Sequence, residues 1–181
     1  MTLAREVSLR TVDGSPRLVQ QATGDFEALS GAGHSFTLAS TDLSDCTRVL
    51  DGAAGTVQRI EARFTPGDAD EFGLVIRGNG AHGTRIGIRP EQGTLHVDRR
   101  TSGRTDFHAS FPSVDAAPIH TVDGSYKLDI YVDRCSVEIF AQDGQVTMTE
   151  LIFPAATSTD VAIYALGGTV TINSLDITRF A

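Results

Sequence analysis

The polar residues best placed for chemistry are Asp133, Arg134, Ser136 and Glu138, gathered around one short turn. A carboxylate accepts hydrogen bonds from adjacent hydroxyls, and a guanidinium donates from a rigid fork. If Leu128, Ile130, Val137 and Ile139 face a core, then Tyr131, Ser136, Glu138 and Phe140 share the opposite face. A carboxylate, a hydroxyl and two aromatic rings on one sheet surface are equipment for holding a sugar. The competing reading is that Asp133 and Arg134 close a hairpin and Glu138 pairs with a neighbouring cation, an arrangement common on protein surfaces. A second set is Asp98, Arg99, Ser102 and Gly103. It reads either as a sugar-contacting loop or as a turn in which Ser102 bonds backbone and Gly103 supplies an unusual φ. Glu71, just ahead of an apolar alternation, is a third candidate, set against the plainer reading of a solvated strand edge.

Other chemistries find little support. Asp68, Asp70 and Glu71 lack the spacing and the glycine of a dedicated calcium loop. The five histidines are scattered without zinc-like spacing. No metal and no cofactor is therefore expected. Net charge is −8, which repels phosphate backbones and argues against nucleic acid as a partner. A neutral sugar would feel no such repulsion. Tryptophan is absent, which argues against a flat platform for a crystalline polysaccharide but leaves open a polar pocket for one terminal sugar. No apolar run is long enough to span a bilayer, so no membrane partner is expected. The first residues lack the long apolar stretch of a secretory signal, which leaves an intracellular protein or a piece of a larger secreted one.

The elements that must position these residues read as strands almost throughout. Ile60, Ala62 and Phe64 alternate with polar residues, as do Phe72, Leu74 and Ile76, and Leu95 and Val97. Tyr126 to Pro154 reads as a β-meander, with turns at Asp133-Arg134 and Asp143-Gly144. In this reading Cys135 continues the apolar row of Val137, Ile139 and Ala141. Val161–Leu166 and Thr169–Phe180 form a last pair across Gly167-Gly168, with a phase shift at Asn173-Ser174 that predicts a β-bulge. Many short strands, glycine-rich turns and little helix signal predict an all-β fold, a two-sheet antiparallel sandwich of lectin-like form, with a barrel as the alternative. Cys46 and Cys135 are expected to be small buried hydrophobes rather than a disulfide. Glu6 to Gln21 holds two strand-like runs about Asp13-Gly14, Gly24–Ser30 reads as a short helical turn, and Gly31-Ala32-Gly33 as a hinge. The expected division is thus residues 1–30 and a sandwich over 31–181.

Three stretches carry a family resemblance. Ile130-Tyr-Val-Asp-Arg-Cys-Ser-Val-Glu-Ile-Phe-Ala-Gln-Asp-Gly144, followed by Thr149-Glu-Leu-Ile-Phe-Pro154, resembles the C-terminal sandwich of glycoside hydrolase family 32, which includes invertases, levanases and inulinases. Phe72-Gly-Leu, with Val97-Asp-Arg-Arg-Thr-Ser-Gly103 and Asp106-Phe-His-Ala-Ser-Phe111 downstream, gives a second match. Arg5 to Gln21 is similar to the last strands of that family's catalytic propeller. The resemblance implies that residues 1–30 are the end of such a propeller plus a linker, and that the catalytic β-propeller domain, absent here, is the partner. The family's Asn-Asp-Pro-Asn and Arg-Asp-Pro motifs do not occur, so no catalytic residue is expected and the chain should not be an enzyme on its own. The sandwich is also similar to carbohydrate-binding module family 66, which implies fructan or terminal fructose as an alternative partner. A third implied possibility is one half of a split fructosidase.

Overall fold

The computed structural model describes residues 2–12, 14–24 and 35–180. The described residues form fifteen strands and no helix. These are β1 (Arg5–Val12), β2 (Ser15–Ala22), β3 (Ser35–Leu38), β4 (Thr41–Ser44), β5 (Thr47–Val49), β6 (Gln58–Pro66), β7 (Glu71–Asn79) and β8 (His82–Arg89). There follow β9 (Thr94–Asp98), β10 (Val114–Pro118), β11 (Tyr126–Val132), β12 (Ser136–Ala141), β13 (Val146–Leu151), β14 (Asp160–Leu166) and β15 (Thr169–Arg179). Beyond Gly24, the helical turn expected over Gly24–Ser30, the hinge at 31–33 and the boundary between residues 30 and 31 lie outside the described residues.

Two sheets build the body. One runs β10-β9-β8-β7-β14-β5; the other runs β13-β12-β11-β6-β15-β3, with β4 also on β15. All their strand pairings are antiparallel. The expected alternation sets the layers. Ile60, Ala62 and Phe64 of β6 and Leu128 and Ile130 of β11 meet Phe72, Leu74 and Ile76 of β7 and Ile86 and Ile88 of β8 in one buried core. Phe72 is its aromatic centre, with ring centroids 5.4 Å from Phe64 and 5.9 Å from Tyr126. Buried apolar area of this kind contributes about 25 cal/mol per Å² and is the main force holding the sheets face to face. The fold is a sandwich and not a barrel. The register of β15 on β6 shifts between Ile172 and Ser174, which places the predicted bulge at Asn173.

Both cysteines are free and exposed, against the expectation that they are buried. Cys46 lies between β4 and β5, and Cys135 lies between β11 and β12 instead of within the apolar row. Residues in surface connections meet water whatever their side chain, so strand-phase reasoning does not apply to them.

β1 and β2 form a separate two-stranded sheet, paired from Arg5–Ala22 through Val12–Ser15. It docks on the outer face of β12 and β13 near its open end. Further along, Val7, Leu9 and Leu18 lie exposed.

Candidate functional site

Two outer faces carry the polar side chains of interest. On the six-stranded sheet, pairing across four strands aligns Tyr164 (β14), Gly73 (β7), Gly87 (β8) and His96 (β9) in one row. The two central members have no side chain, so the row has a hollow in its middle. Tyr164 and His96 fill it: a Cβ at Gly87 would overlap both the His96 ring and the Tyr164 hydroxyl. Glu71 closes the cluster. Its carboxylate accepts from Arg89 Nε at 2.8 Å and from the Tyr164 hydroxyl at 2.9 Å, with His96 Nε2 at 3.4 Å and Arg85 at 3.6 Å. Burial alone would raise the Glu71 carboxyl, but hydrogen bonds from His96, Arg89 and Tyr164 outweigh it and hold the group at about 2. The Tyr164 hydroxyl moves the other way, pushed up by its burial and by the Glu71 charge. The Arg85 guanidinium stacks over the Tyr164 ring, 4.5 Å from its centroid.

The next row along the same face is Val49, Ala162, Val75, Arg85 and Asp98, running over β5, β14, β7, β8 and β9. Asp98 is gripped by Arg100 through Nε at 3.0 Å and Nη2 at 2.7 Å. Burial would raise the Asp98 carboxyl; the Arg100 bonds prevail and lower it.

On the seven-stranded sheet, Glu138 and Phe140 do face outward with Tyr131, as the alternation predicts, and the Tyr131 and Phe140 rings meet edge to face at 5.8 Å. The surface they make is not open to solvent around Glu138. Arg5 of the hairpin donates to Glu138 Oε2 at 2.6 Å and to Thr149 Oγ1 at 2.7 Å, and its guanidinium lies 5.1 Å from the Phe140 ring centroid. The Leu3 amide donates to Glu138 Oε1 at 2.6 Å, and the Gln20 amide to the Gly144 carbonyl at 3.0 Å. Glu138 is 3% exposed and paired with a cation. Tyr131 sits half-buried beside it, its hydroxyl pushed up to about 12 by burial and by Asp129.

The polar residues singled out in the sequence therefore lie in separate places, with Ser136 half-buried at the start of β12. Glu71 and Asp98 share the outer face of the six-stranded sheet, on either side of the Gly73–Gly87 row. Arg99 points elsewhere: its Nε donates to Ser113 Oγ at 2.8 Å, its Nη1 lies 3.4 Å from Glu150, and its guanidinium covers the Phe111 ring. Ser102 is buried, and its hydroxyl donates to the Arg99 carbonyl at 2.9 Å, which makes residues 99–102 a turn. Asp133 and Arg134 are exposed in the β11–β12 turn, where Asp133 Oδ1 accepts from the Arg134 amide at 2.7 Å. Sequence reasoning did not single out Arg85, Arg89, His96 and Tyr164 around Glu71, nor Arg5 opposite Glu138. Alternation shows that Arg85, Gly87 and Arg89 share a face, but only cross-strand pairing shows what they face.

Comparison with known proteins places this geometry. The family model described as glycosyl hydrolases family 32 C terminal matches residues 25–179. The levanase of Bacillus subtilis is 33% identical over 180 residues, covering 97% of this chain and 26% of that protein. The extracellular exo-inulinase of Aspergillus awamori is 28% identical over 186 residues, covering 100% of this chain and 34% of the inulinase. The crystal structure of exo-inulinase from Aspergillus awamori superposes with a TM-score of 0.86 at 28% identity, over 98% of this chain and 35% of that one. The chain thus spans about a quarter to a third of the length of the relatives it matches. A fructan 1-exohydrolase from Cichorium intybus shares the fold, with a TM-score of 0.81 at 14% identity. Sheet order, meander and family match converge, and the chain belongs to the C-terminal domain family of the glycosyl hydrolases of family 32.

Proposed function

We propose that this chain is the non-catalytic C-terminal module of a fructan-cleaving enzyme, and that its β1–β2 hairpin is the surface that joins it to the catalytic domain. The observation that carries this reading is the hairpin itself. It is a two-stranded sheet whose outer edges have no strand partner among the described residues. Leu9 pairs across it with Leu18, and these two and Val7 lie exposed. An isolated two-stranded sheet is marginal in water, and open edges with apolar side chains invite a further strand or sheet. Arg5, Leu3 and Gln20 fix its inner end to the sandwich and so fix the direction in which a partner would lie. Relatives three to four times as long, named levanase and exo-inulinase, support a catalytic partner and a fructan substrate for the whole enzyme. On this reading residues 1–30 are the end of the catalytic propeller with its linker, and residues 31–181 are the sandwich. The partner is then a part of the same enzyme or, in a split fructosidase, a second chain.

A non-catalytic role fits the state of the carboxylates. A retaining glycosidase needs two of them about 5 Å apart across a sugar-shaped cleft, one able to give up a proton near neutral pH. Glu71 and Glu138 are each bound by cations, and they belong to strands of opposite sheets. Glu71, held at about 2, carries no proton to donate at neutral pH. Incubation of the purified chain with levan and with inulin is expected to release no more fructose than buffer. Release of fructose that disappears in Glu71→Gln or Glu138→Gln would overturn this reading.

A further inference from the structure

The row Val49, Ala162, Val75, Arg85 and Asp98 is the floor of an open groove of about 490 Å³ on the outer face of the six-stranded sheet. That volume lies within the range of about 300–1,000 Å³ usual for ligand clefts. One wall is the β7–β8 turn, Asn79 to Gly83; another is Arg100 with Thr101; Asp160 and Thr47 complete the rim. The floor divides chemically along its length. Val49, Ala162 and Val75 give a low apolar strip without a large side chain, whereas Arg85 and Asp98 give donors and acceptors at the far end.

Arg85 is held ready. Its guanidinium rests on the Tyr164 ring and lies 3.6 Å from Glu71, yet its side chain remains 40% exposed. Asp98 is already neutralised by Arg100, and the groove as a whole sets two arginines against two aspartates. An anion entering it would meet Asp98 and Asp160, a cation would meet Arg85 and Arg100, and an apolar ligand would strip water from Arg85 without replacing its hydrogen bonds. A neutral molecule with one C–H face and many hydroxyls matches both halves of the floor. We propose that this groove binds a neutral oligosaccharide, its C–H face on Val49, Ala162 and Val75 and its hydroxyls on Arg85 and Asp98. The groove belongs to the other sheet from the one on which the hairpin docks, so the hairpin does not cover it.

The test is calorimetric titration of the whole chain with levan-derived, inulin-derived and malto-oligosaccharides, and with glucose 6-phosphate as the anionic probe. The expected result is saturable heat with at least one neutral probe, weakened about tenfold or more, or some 1.4 kcal/mol, by Arg85→Ala. Val49→Asp, at an exposed position that leaves the core untouched, should weaken it similarly. Glu138→Ala, on the other sheet, should leave it unchanged. Absence of saturable heat with every neutral probe would overturn the proposal, as would heat from the phosphate alone or heat that survives both Arg85→Ala and Val49→Asp. None of these results bears on the sugar-release assay, so the groove and the non-catalytic reading fail separately.

Discussion

Gly73→Ala is expected to destabilise the domain by about 3 kcal/mol or more. Gly73 lies in the middle of β7, paired with Gly87 of β8 on one side and Tyr164 of β14 on the other. A methyl group there would lie far inside van der Waals contact with the Ile86 carbonyl oxygen and press on the Gly87 Cα. Neither can swing aside as a flexible side chain would, because both are backbone of an interior strand. Relief requires separation of β7 from β8, whose side chains Phe72, Leu74, Ile86 and Ile88 form the centre of the core. For a domain of this size, 3 kcal/mol corresponds to a fall in Tm of roughly 6–12 °C, readable by calorimetry or circular dichroism. A Tm within 2 °C of wild type, on the scale of less than about 1 kcal/mol, would mean that the sheet yields easily at this point and that the glycine row is not what shapes the polar cluster.

Glu71→Gln is the second large effect expected, and it should depend on pH. At neutral pH the substitution removes the charge that Arg89 and Arg85 face and the acceptor that Tyr164 and His96 use. Breaking a partly buried network from one side leaves the other groups without compensation. The folded carboxyl sits at about 2, against an ordinary value of 4.5. A carboxyl lowered on folding stabilises the native state above its unfolded value and loses that contribution as pH falls through the folded one. The difference in unfolding free energy between wild type and Glu71→Gln should therefore be about 3 kcal/mol above pH 5. It should shrink steadily from there and nearly vanish by pH 2. A difference that stays constant from pH 7 to pH 2.5 would show that the lost interaction is one of shape and not of charge.

The layers of this fold were legible because strand periodicity is a local signal. Ile60, Ala62 and Phe64, or Phe72, Leu74 and Ile76, declare one buried face without reference to any other strand, and the bulge at Asn173 is a visible break in that phase. The candidate sites were less legible because their partners come from strands distant in sequence. Glu71 reads as a strand-edge carboxylate until β8, β9 and β14 bring Arg89, His96 and Tyr164 around it. Glu138 reads as a surface residue in its own strand, and only the return of a hairpin 133 residues earlier in the chain covers it. Arg99 and Ser102 illustrate the opposite case. Their turn chemistry was among the sequence readings, and Ser102 does bond backbone, at the Arg99 carbonyl. Cys135 misleads because the apolar row of β12 stops one residue short of it, and Cys46 because a free cysteine is usually buried, whereas both stand in exposed connections.

That the hairpin joins this module to a catalytic domain can be tested by sedimentation. The chain would be mixed with the catalytic part of the Bacillus subtilis levanase, produced without the region that matches this chain. A one-to-one complex is expected with the wild-type chain, and its loss in the doubly substituted Leu9→Asp, Leu18→Asp chain, whose sandwich should melt as wild type does because both positions are exposed. Failure of the wild-type chain to associate, or undiminished association of the doubly substituted chain, would contradict it.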